Sequence, residues 1–406
     1  MRLRFFESAP GQQHIQERDQ YLFQTDKPSH RFNVIGSGTI GQEHMRVMHL
    51  LGRACVHGIY DVSGHSAQVG ESAVAKLSDE PVVRYDSLES CCNDVEVDGL
   101  IIATPNHTHL EVLRAALKTD KAVLLEKPMA TSVKDAATIV RLSQANDNLL
   151  QVGLQYRYKA TFSEALREVK YRKSIGEVRS INMMEHRPPF LDKVNQWNKF
   201  SKNTGGTLVE KCCHYFDLMN MFAESMPETV YAVGGQAVNF TDFERAGEVS
   251  DILDHSAVVV SYENGIQATL TLNMFSPLFT EEMVICGDRG RLTTRERFDF
   301  LNDDRSRSSM SLEFPEPLAS RDTVLAYPHH IESSGHHGAT YFAQTAFVDS
   351  LEGRSGDAAT AAQGFWSIVV GAAAEESVKS KSVVKIKDVL KRNKCLDLST
   401  LDTGYW

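Results

Sequence analysis

The feature that most restricts the fold is the run Phe32-Asn33-Val34-Ile35-Gly36-Ser37-Gly38-Thr39-Ile40-Gly41. A short apolar strand enters a Gly-x-Gly-x-x-Gly turn, and a helical pattern from Gln42 to about Leu51 follows at once. The spacing alone is weak evidence, because a structural turn uses the same residue. Its context is specific: the next strand, Val56-His57-Gly58-Ile59-Tyr60, ends in Asp61, at the separation a dinucleotide-binding turn requires. The first glycine permits the tight turn, the second lets backbone approach a pyrophosphate, and the third lets helix pack on strand. The helix amino end favours the phosphate charge. Gly36, Ser37, Gly38, Thr39, Ile40 and Gly41 are therefore expected to hold a dinucleotide, with Asp61 accepting from its adenosine ribose. A carboxylate there repels a 2'-phosphate, which makes NAD rather than NADP the expected cofactor.

Strand and helix keep alternating. Asp98 to Pro105 is a buried strand with a proline stop, followed by Asn106-His107-Thr108-His109. No carboxylate or cysteine clusters with these histidines, and Asn, Thr and His are ordinary helix-start residues, so no metal site is expected. Val123-Leu124-Leu125-Glu126-Lys127-Pro128 is an apolar run ending in charge. Proline has no amide hydrogen for the ladder, so the strand stops and holds Lys127 at its carboxyl end, the edge where open α/β sheets bind ligands. A solvated lysine paired with Glu126 is the plainer alternative. Leu149 to Leu154 completes a doubly wound parallel sheet over 31-153, behind a polar arm at 1-30.

The rhythm then changes. Glu177 to Met184, Thr229 to Val238, Asp254 to Tyr262, Ile266 to Met274 and Glu282 to Cys286 read as strands with few helices between them, and Asn264-Gly265 is a hairpin turn. Ile266, Ala268, Leu270, Leu272 and Met274 alternate with polar residues, so this sheet buries one face and shows a polar one. Within 154-406 one helical stretch stands out, Gly205 to Asp217. Glu210, His214 and Asp217 lie four and three residues apart, on one face of a continuous helix. A carboxylate beside an imidazole raises its basicity and fixes its tautomer, as a general base for an alcohol requires; a structural ion pair uses the same spacing. Cys212 and Cys213 read as packing residues.

A chain of 406 residues is too long for one typical domain, and its net charge of -10, with both signs interspersed, argues against a nucleic-acid partner. Seven cysteines, with two adjacent pairs and no Cys-x-x-Cys, suggest neither a disulfide framework nor zinc, and favour the reduced cytoplasm. No apolar run approaches the ~18 residues of a membrane span, and no targeting signal is visible.

With these residues in place, the chain resembles the Gfo/Idh/MocA oxidoreductases from about residue 31 to 390. The resemblance rests on Gly36 to Gly41 with His44 following, Thr104-Pro105-Asn106 with His109, Glu126-Lys127-Pro128, and Gly205 to Asp217. It implies an α/β plus α+β architecture: an N-terminal Rossmann domain and a C-terminal open, mostly antiparallel mixed sheet supplying a substrate pocket and an oligomer contact. The implied reaction moves a hydride between NAD and a hydroxyl-bearing carbon of a sugar, polyol or sugar acid. Lys127 would hydrogen-bond substrate and cofactor ribose, His214 would be the acid/base supported by Glu210, and Thr104, Pro105, Asn106, His109 and Glu126 would lie on the cofactor side. Asp217, His337 (with His336 beside it) and Trp197 are candidate substrate contacts; Trp197 could stack on a pyranose face or anchor a subunit contact. Two residues depart from the family pattern, which usually has Asp at position 210 and Gly at position 212. The resemblance further implies a homo-oligomer, dimer or tetramer, paired through the polar-faced sheet, with the 1-30 arm or the Tyr405-Trp406 tail contributing. Two alternatives remain open: glycosidic cleavage by transient oxidation and elimination, and a non-catalytic sensor, against which Lys127 and His214 together count.

Overall fold

The computed structural model describes residues 28–78, 80–299, 306–354 and 358–405. The arm expected at 1-30 lies outside them apart from its last three residues, as does Trp406.

The first sheet has six strands, β1 (His30–Ile35), β2 (Ala54–Tyr60), β3 (Val83–Arg84), β4 (Gly99–Ile102), β5 (Ala122–Glu126) and β6 (Leu150–Gly153). All are parallel, in the order β3-β2-β1-β4-β5-β6. Helices cover both faces, which is why Leu100, Ile101, Ile102, Val123, Leu124 and Leu125 are apolar without alternation and wholly buried. The strand order reverses between β1 and β4, opening a crevice at the carboxyl edge where α1 (Thr39–Leu51) begins.

The second sheet has nine strands: β7 (Val178–His186), β8 (Pro227–Gly235), β11 (His255–Tyr262), β12 (Gln267–Asn273), β13 (Phe279–Gly287), β14 (Arg291–Phe298), β15 (Arg307–Glu313), β16 (Arg321–Leu325) and β17 (Val384–Lys385). A small hairpin, β9 (Glu244–Arg245) with β10 (Glu248–Val249), stands apart. The order is β16-β15-β14-β13-β7-β12-β11-β8-β17, antiparallel except for β7 against β12. This is the open, mostly antiparallel mixed sheet that the resemblance implies. β14, β15 and β16 are absent from the sequence reading. The buried positions of β14 are Leu292, Thr294 and Glu296, two of the three polar, so the apolar alternation that reveals a strand is missing there.

Helix Ala361–Ser380 joins the two halves. A Cβ at Gly364 would lie 2.5 Å from the Met129 sulfur, and one at Gly371 2.7 Å from the Leu208 carbonyl. These two glycines, seven apart on one helix face, let the backbone lie against both the segment after Lys127 and the segment that carries Glu210. One continuous apolar core results, running from Ile35 and Leu100 through Phe365 and Trp366 to Met283 and Leu312. Among the described residues no helix is long and apolar enough to cross a membrane.

Candidate active site

At the edge of the first sheet the geometry is set by backbone. Gly36 has φ +98°, and a Cβ on Gly41 would sit 1.9 Å from the Gly36 carbonyl oxygen, so neither position admits a side chain without moving the turn. Gly38 is the N-cap of α1 with no side-chain cap, and a Cβ there would meet nothing within 4 Å. Uncapped amides at a helix start, facing open space, fit the pyrophosphate of a dinucleotide. Asp61 braces this turn: its carboxylate accepts from the Ser37 and Ser63 amides, each at 2.8 Å. A carboxylate offers about four acceptor sites, so capacity remains for ribose hydroxyls. The residues present therefore fit NAD.

The turns after β4 and β5 are tied together beneath this edge. Thr108 donates to the Thr104 hydroxyl at 2.8 Å, and His109, fully buried, faces the Pro128 carbonyl at 2.9 Å and the Thr104 carbonyl at 3.0 Å. Pro105 precedes the short helix Asn106–Thr108, and Asn106 is buried near Glu210. Glu126 is not the ion-pair partner of the Lys127 ammonium. Its carboxylate faces His44 Nε2 at 2.9 Å and accepts from the Lys127 amide at 3.1 Å, while Gln344 donates to His44 Nδ1 at 2.9 Å. That chain assigns the His44 proton to Nε2. Burial raises the Glu126 pKa, but the bond and charge of His44 more than offset it, so the carboxyl lies below its usual range.

Lys127, half-buried, donates to the Glu210 carbonyl at 3.5 Å. The single helix expected to carry Glu210, His214 and Asp217 on one face does not form. Gly205 and Gly206 have φ of +82° and +98°, helix Thr207–Glu210 ends after one turn, and a second helix, Cys213–Ala223, begins beyond it. No hydrogen bond joins the Glu210 carboxylate to His214 among the described residues, and both Glu210 Oε2 and His214 Nδ1 are buried without a partner. Asp217 points elsewhere: it pairs with Arg157 at 2.6 Å and accepts from the Tyr405 hydroxyl at 2.5 Å. Asp217 is thus part of a buried brace that holds Tyr405 of the tail against its own chain.

The surroundings of His214 also reverse an electrostatic expectation. Its ring stacks on Tyr156, centroids 3.9 Å apart and planes 7° from parallel. Burial first, then the charges of Lys127, Lys211, His336 and Lys159, push its pKa well below 6.5. Burial and these cations make the imidazole less basic, and Glu210 does not make it more so. Burial pushes the Glu210 carboxyl up, against the opposing pull of Lys127 and Lys193. Lys193, on the loop after β7, is a second ammonium at this place, depressed by burial and by Lys127.

Below His214 lies the inner face of the second sheet. Glu296 on β14 pairs in register with Glu281 on β13, which pairs with Glu185 on β7, so three buried carboxylates stand side by side on adjacent strands. Like charges opposite one another destabilise a sheet unless compensated. Three cations compensate them: Lys159 bridges Glu281 and Glu296, Lys211 lies 2.8 Å from Glu185, and Arg187 lies 3.5 Å from it. Tyr215 donates to Glu281 at 2.5 Å and Lys211 to the Tyr156 hydroxyl at 2.7 Å. Burial, outweighing Glu185, lowers the Lys211 pKa to about 8.

His337 belongs to this floor, with Nδ1 3.1 Å from Glu296 and its ring stacked on Phe279 at 6.0 Å. The histidine facing Tyr156 is His336, ring centroids 6.3 Å apart, with Nδ1 2.7 Å from Glu43. Trp197 meets His107 edge-on at 6.1 Å, so its loop rests on the turn after β4. Sequence reasoning missed Tyr156, Lys193, Lys211 and the carboxylate row. The polar interruptions of β13 and β14 are the only signal that pointed to any of them.

The family model described as the oxidoreductase family, NAD-binding Rossmann fold, matches residues 30–154, and its companion, the C-terminal alpha/beta domain of that oxidoreductase family, matches 171–386. Myo-inositol 2-dehydrogenase of Thermotoga maritima is 23% identical over 369 residues, covering 89% of this chain and 99% of that protein. Among solved structures, a levoglucosan dehydrogenase in complex with NADH superposes with a TM-score of 0.71 at 17% identity, covering 88% of this chain and 98% of that one. Myo-inositol dehydrogenase from Lactobacillus casei gives a TM-score of 0.66 at 18% identity, over 87% and 96%. At such identities the structures speak for the fold alone. The two family matches together span both sheets and the seam that carries Lys127 and His214, and on them the chain belongs to the Gfo/Idh/MocA family of NAD-binding oxidoreductases.

Proposed function

We propose that this dehydrogenase moves a hydride between NAD and a hydroxyl-bearing carbon of a sugar, polyol or sugar acid, with His214 as the base and Lys127 as the stabilising cation. One observation carries the reading: a buried imidazole with a partnerless nitrogen, its proton affinity lowered by burial and by the charge of Lys127, lies where the carboxyl edge of the first sheet meets the polar floor of the second. The names of the relatives, inositol and levoglucosan dehydrogenases, support the substrate class. When bound, NAD supplies the hydride acceptor. His214 takes the hydroxyl proton, and its depressed pKa keeps it ready to do so at neutral pH. Lys127 stabilises the alkoxide character that develops on the substrate oxygen. Glu210, buried with a free oxygen, and Lys193 hold the hydroxyls around the reacting carbon.

The same reading extends to assembly and place. Tyr231 and Val233 on β8 and Val259 on β11 are 41%, 50% and 40% exposed on the outer face of the second sheet, an apolar patch suited to a second copy of the chain. Light scattering should then report a dimer or tetramer at micromolar concentration. The seven cysteines are unpaired, as a reducing cytoplasm would keep them. The deciding experiment is a panel of sugars, polyols and sugar acids, following NADH absorbance with wild type and His214→Asn. A substrate that turns over in the first and not in the second supports the assignment; product analysis showing net bond cleavage without net NADH would replace it with the elimination reading.

A further inference from the structure

The base assignment leaves unexplained why His214 has a flat aromatic partner and why that partner is gripped by charge. Tyr156 lies face to face with the imidazole at 3.9 Å, and its hydroxyl accepts from Lys211 at 2.7 Å. Lys211 is anchored by Glu185, the end of the carboxylate row. Lys159, held by Glu281 and Glu296, places its ammonium 4.5 Å from the centre of the Tyr156 ring. The ring is therefore fixed from two sides by cations that the sheet itself neutralises.

We propose that Tyr156 is a positioning residue, a platform that the Lys211–Glu185 pair locks in place and on which His214 is oriented toward the substrate hydroxyl. This rests on His214 being the base. Stacking fixes the imidazole plane while leaving Nδ1 without a partner, so the ring does not depend on a carboxylate for its orientation, as a histidine with an aspartate partner does. The floor cations have a second consequence. The cations that act most strongly on His214 are Lys127 from the end of β5, Lys211 from its own segment, His336 from the loop before helix Ala339–Leu351 and Lys159 from the segment after β6, while the carboxylates Glu185, Glu281, Glu296 and Glu43 stand behind Lys211, Lys159 and His336. With burial these cations disfavour imidazolium, so the platform that orients the base also favours its unprotonated state.

The test uses the full chain with NAD and the alcohol found by the panel, together with histidine carbon-13 NMR of the imidazole titration, which needs no turnover. Tyr156→Phe keeps the stack but gives up the hydroxyl that Lys211 holds, and should lower kcat about threefold, less than loss of the stack itself. Tyr156→Leu removes the stack and should lower kcat about 10- to 100-fold, with the Kd for NADH unchanged, an effect within the range that a misoriented base costs. The pair Lys211→Met with Glu185→Gln removes one charge of each sign and so leaves the floor balanced. It should raise the His214 titration midpoint by about one pH unit and carry the acid limb of kcat with it. Tyr156→Leu with wild-type kcat, or a midpoint unmoved in the double variant, overturns the proposal. If instead His214→Asn turns over normally, the base assignment falls, and the NMR titration still reports whether the platform sets the state of the ring.

Discussion

The two halves of this site are made of different materials. At the edge of the first sheet the working groups are backbone amides and missing side chains: Gly36 and Gly41 clear the turn, Gly38 faces open space, and Asp61 braces the loop through two amides. On the floor of the second sheet the working groups are charged side chains that need one another, Glu185, Glu281 and Glu296 against Lys159, Lys211 and Arg187. The first kind of site depends on a few local residues and tolerates change around them. The second fails as a unit, because removing one ion leaves its partner buried and unpaired.

The comparison can be broken most sharply where the two halves meet. His214→Asn should lower turnover by about 10²- to 10⁴-fold while leaving NADH binding nearly intact, since the side chain belongs to the second half alone. With His214 as the base, oxidation in the wild type should follow the neutral fraction of its imidazole. A pKa lowered below 6.5 by burial and cations means the rate stays level down through pH 7 and falls only at more acidic pH. A limb centred above pH 7 in a pH series of kcat would contradict this. Arg157→Met probes the same logic in stability: it strands Asp217, 1% exposed, without its cation, and should cost about 3–5 kcal/mol in urea unfolding. A loss below about 1 kcal/mol would mean that Asp217 takes up a proton or finds another partner at little cost.

Lys127→Met keeps the stem and deletes the charge. It should leave the protein folded and binding NADH, yet slow turnover by about 10²- to 10³-fold, as loss of one oxyanion donor does. Full activity would remove Lys127 from the chemistry. The smallest effect is expected at Gly38. Its φ of -70° suits any residue and a Cβ would touch no protein atom, so Gly38→Ala should melt like wild type while weakening NADH about tenfold, or about 1.4 kcal/mol. Gly41→Ala, by contrast, should disturb the fold itself, because its Cβ would overlap the Gly36 carbonyl. Equal melting temperatures for the two variants would show that the glycines of this turn are not divided between packing and approach.

How far the sequence carried the reading follows from the same division. The glycine turn, the buried strands ending at Asp61, Pro105 and Pro128, and the doubly wound order are local or periodic features. A tight turn needs glycine, a ladder stops at proline, and a strand covered on both faces is apolar throughout, whatever lies elsewhere in the chain. Even there the reading slipped where spacing stood in for backbone: Glu210, His214 and Asp217 share a face only if the helix is unbroken, and positive φ at Gly205 and Gly206 precedes a segment that breaks it. The charged floor was beyond reach. Glu296 in Arg-Leu-Thr-Thr-Arg-Glu-Arg-Phe looks like a solvated residue, and only the register of β14 against β13 and of β13 against β7 sets it in line with Glu281 and Glu185. A buried carboxylate is tolerable only when a cation meets it, and while Arg187 stands two residues from Glu185, the other cations come from segments remote in the chain: Lys159 after β6 and Lys211 between two helices. Residue types and spacing determined the NAD-binding half of this protein, because its contacts are local. Which charges meet beneath His214, and therefore the state of its imidazole, only the packing of the two sheets decided, because Coulomb energy depends on distance in space and not on separation in sequence.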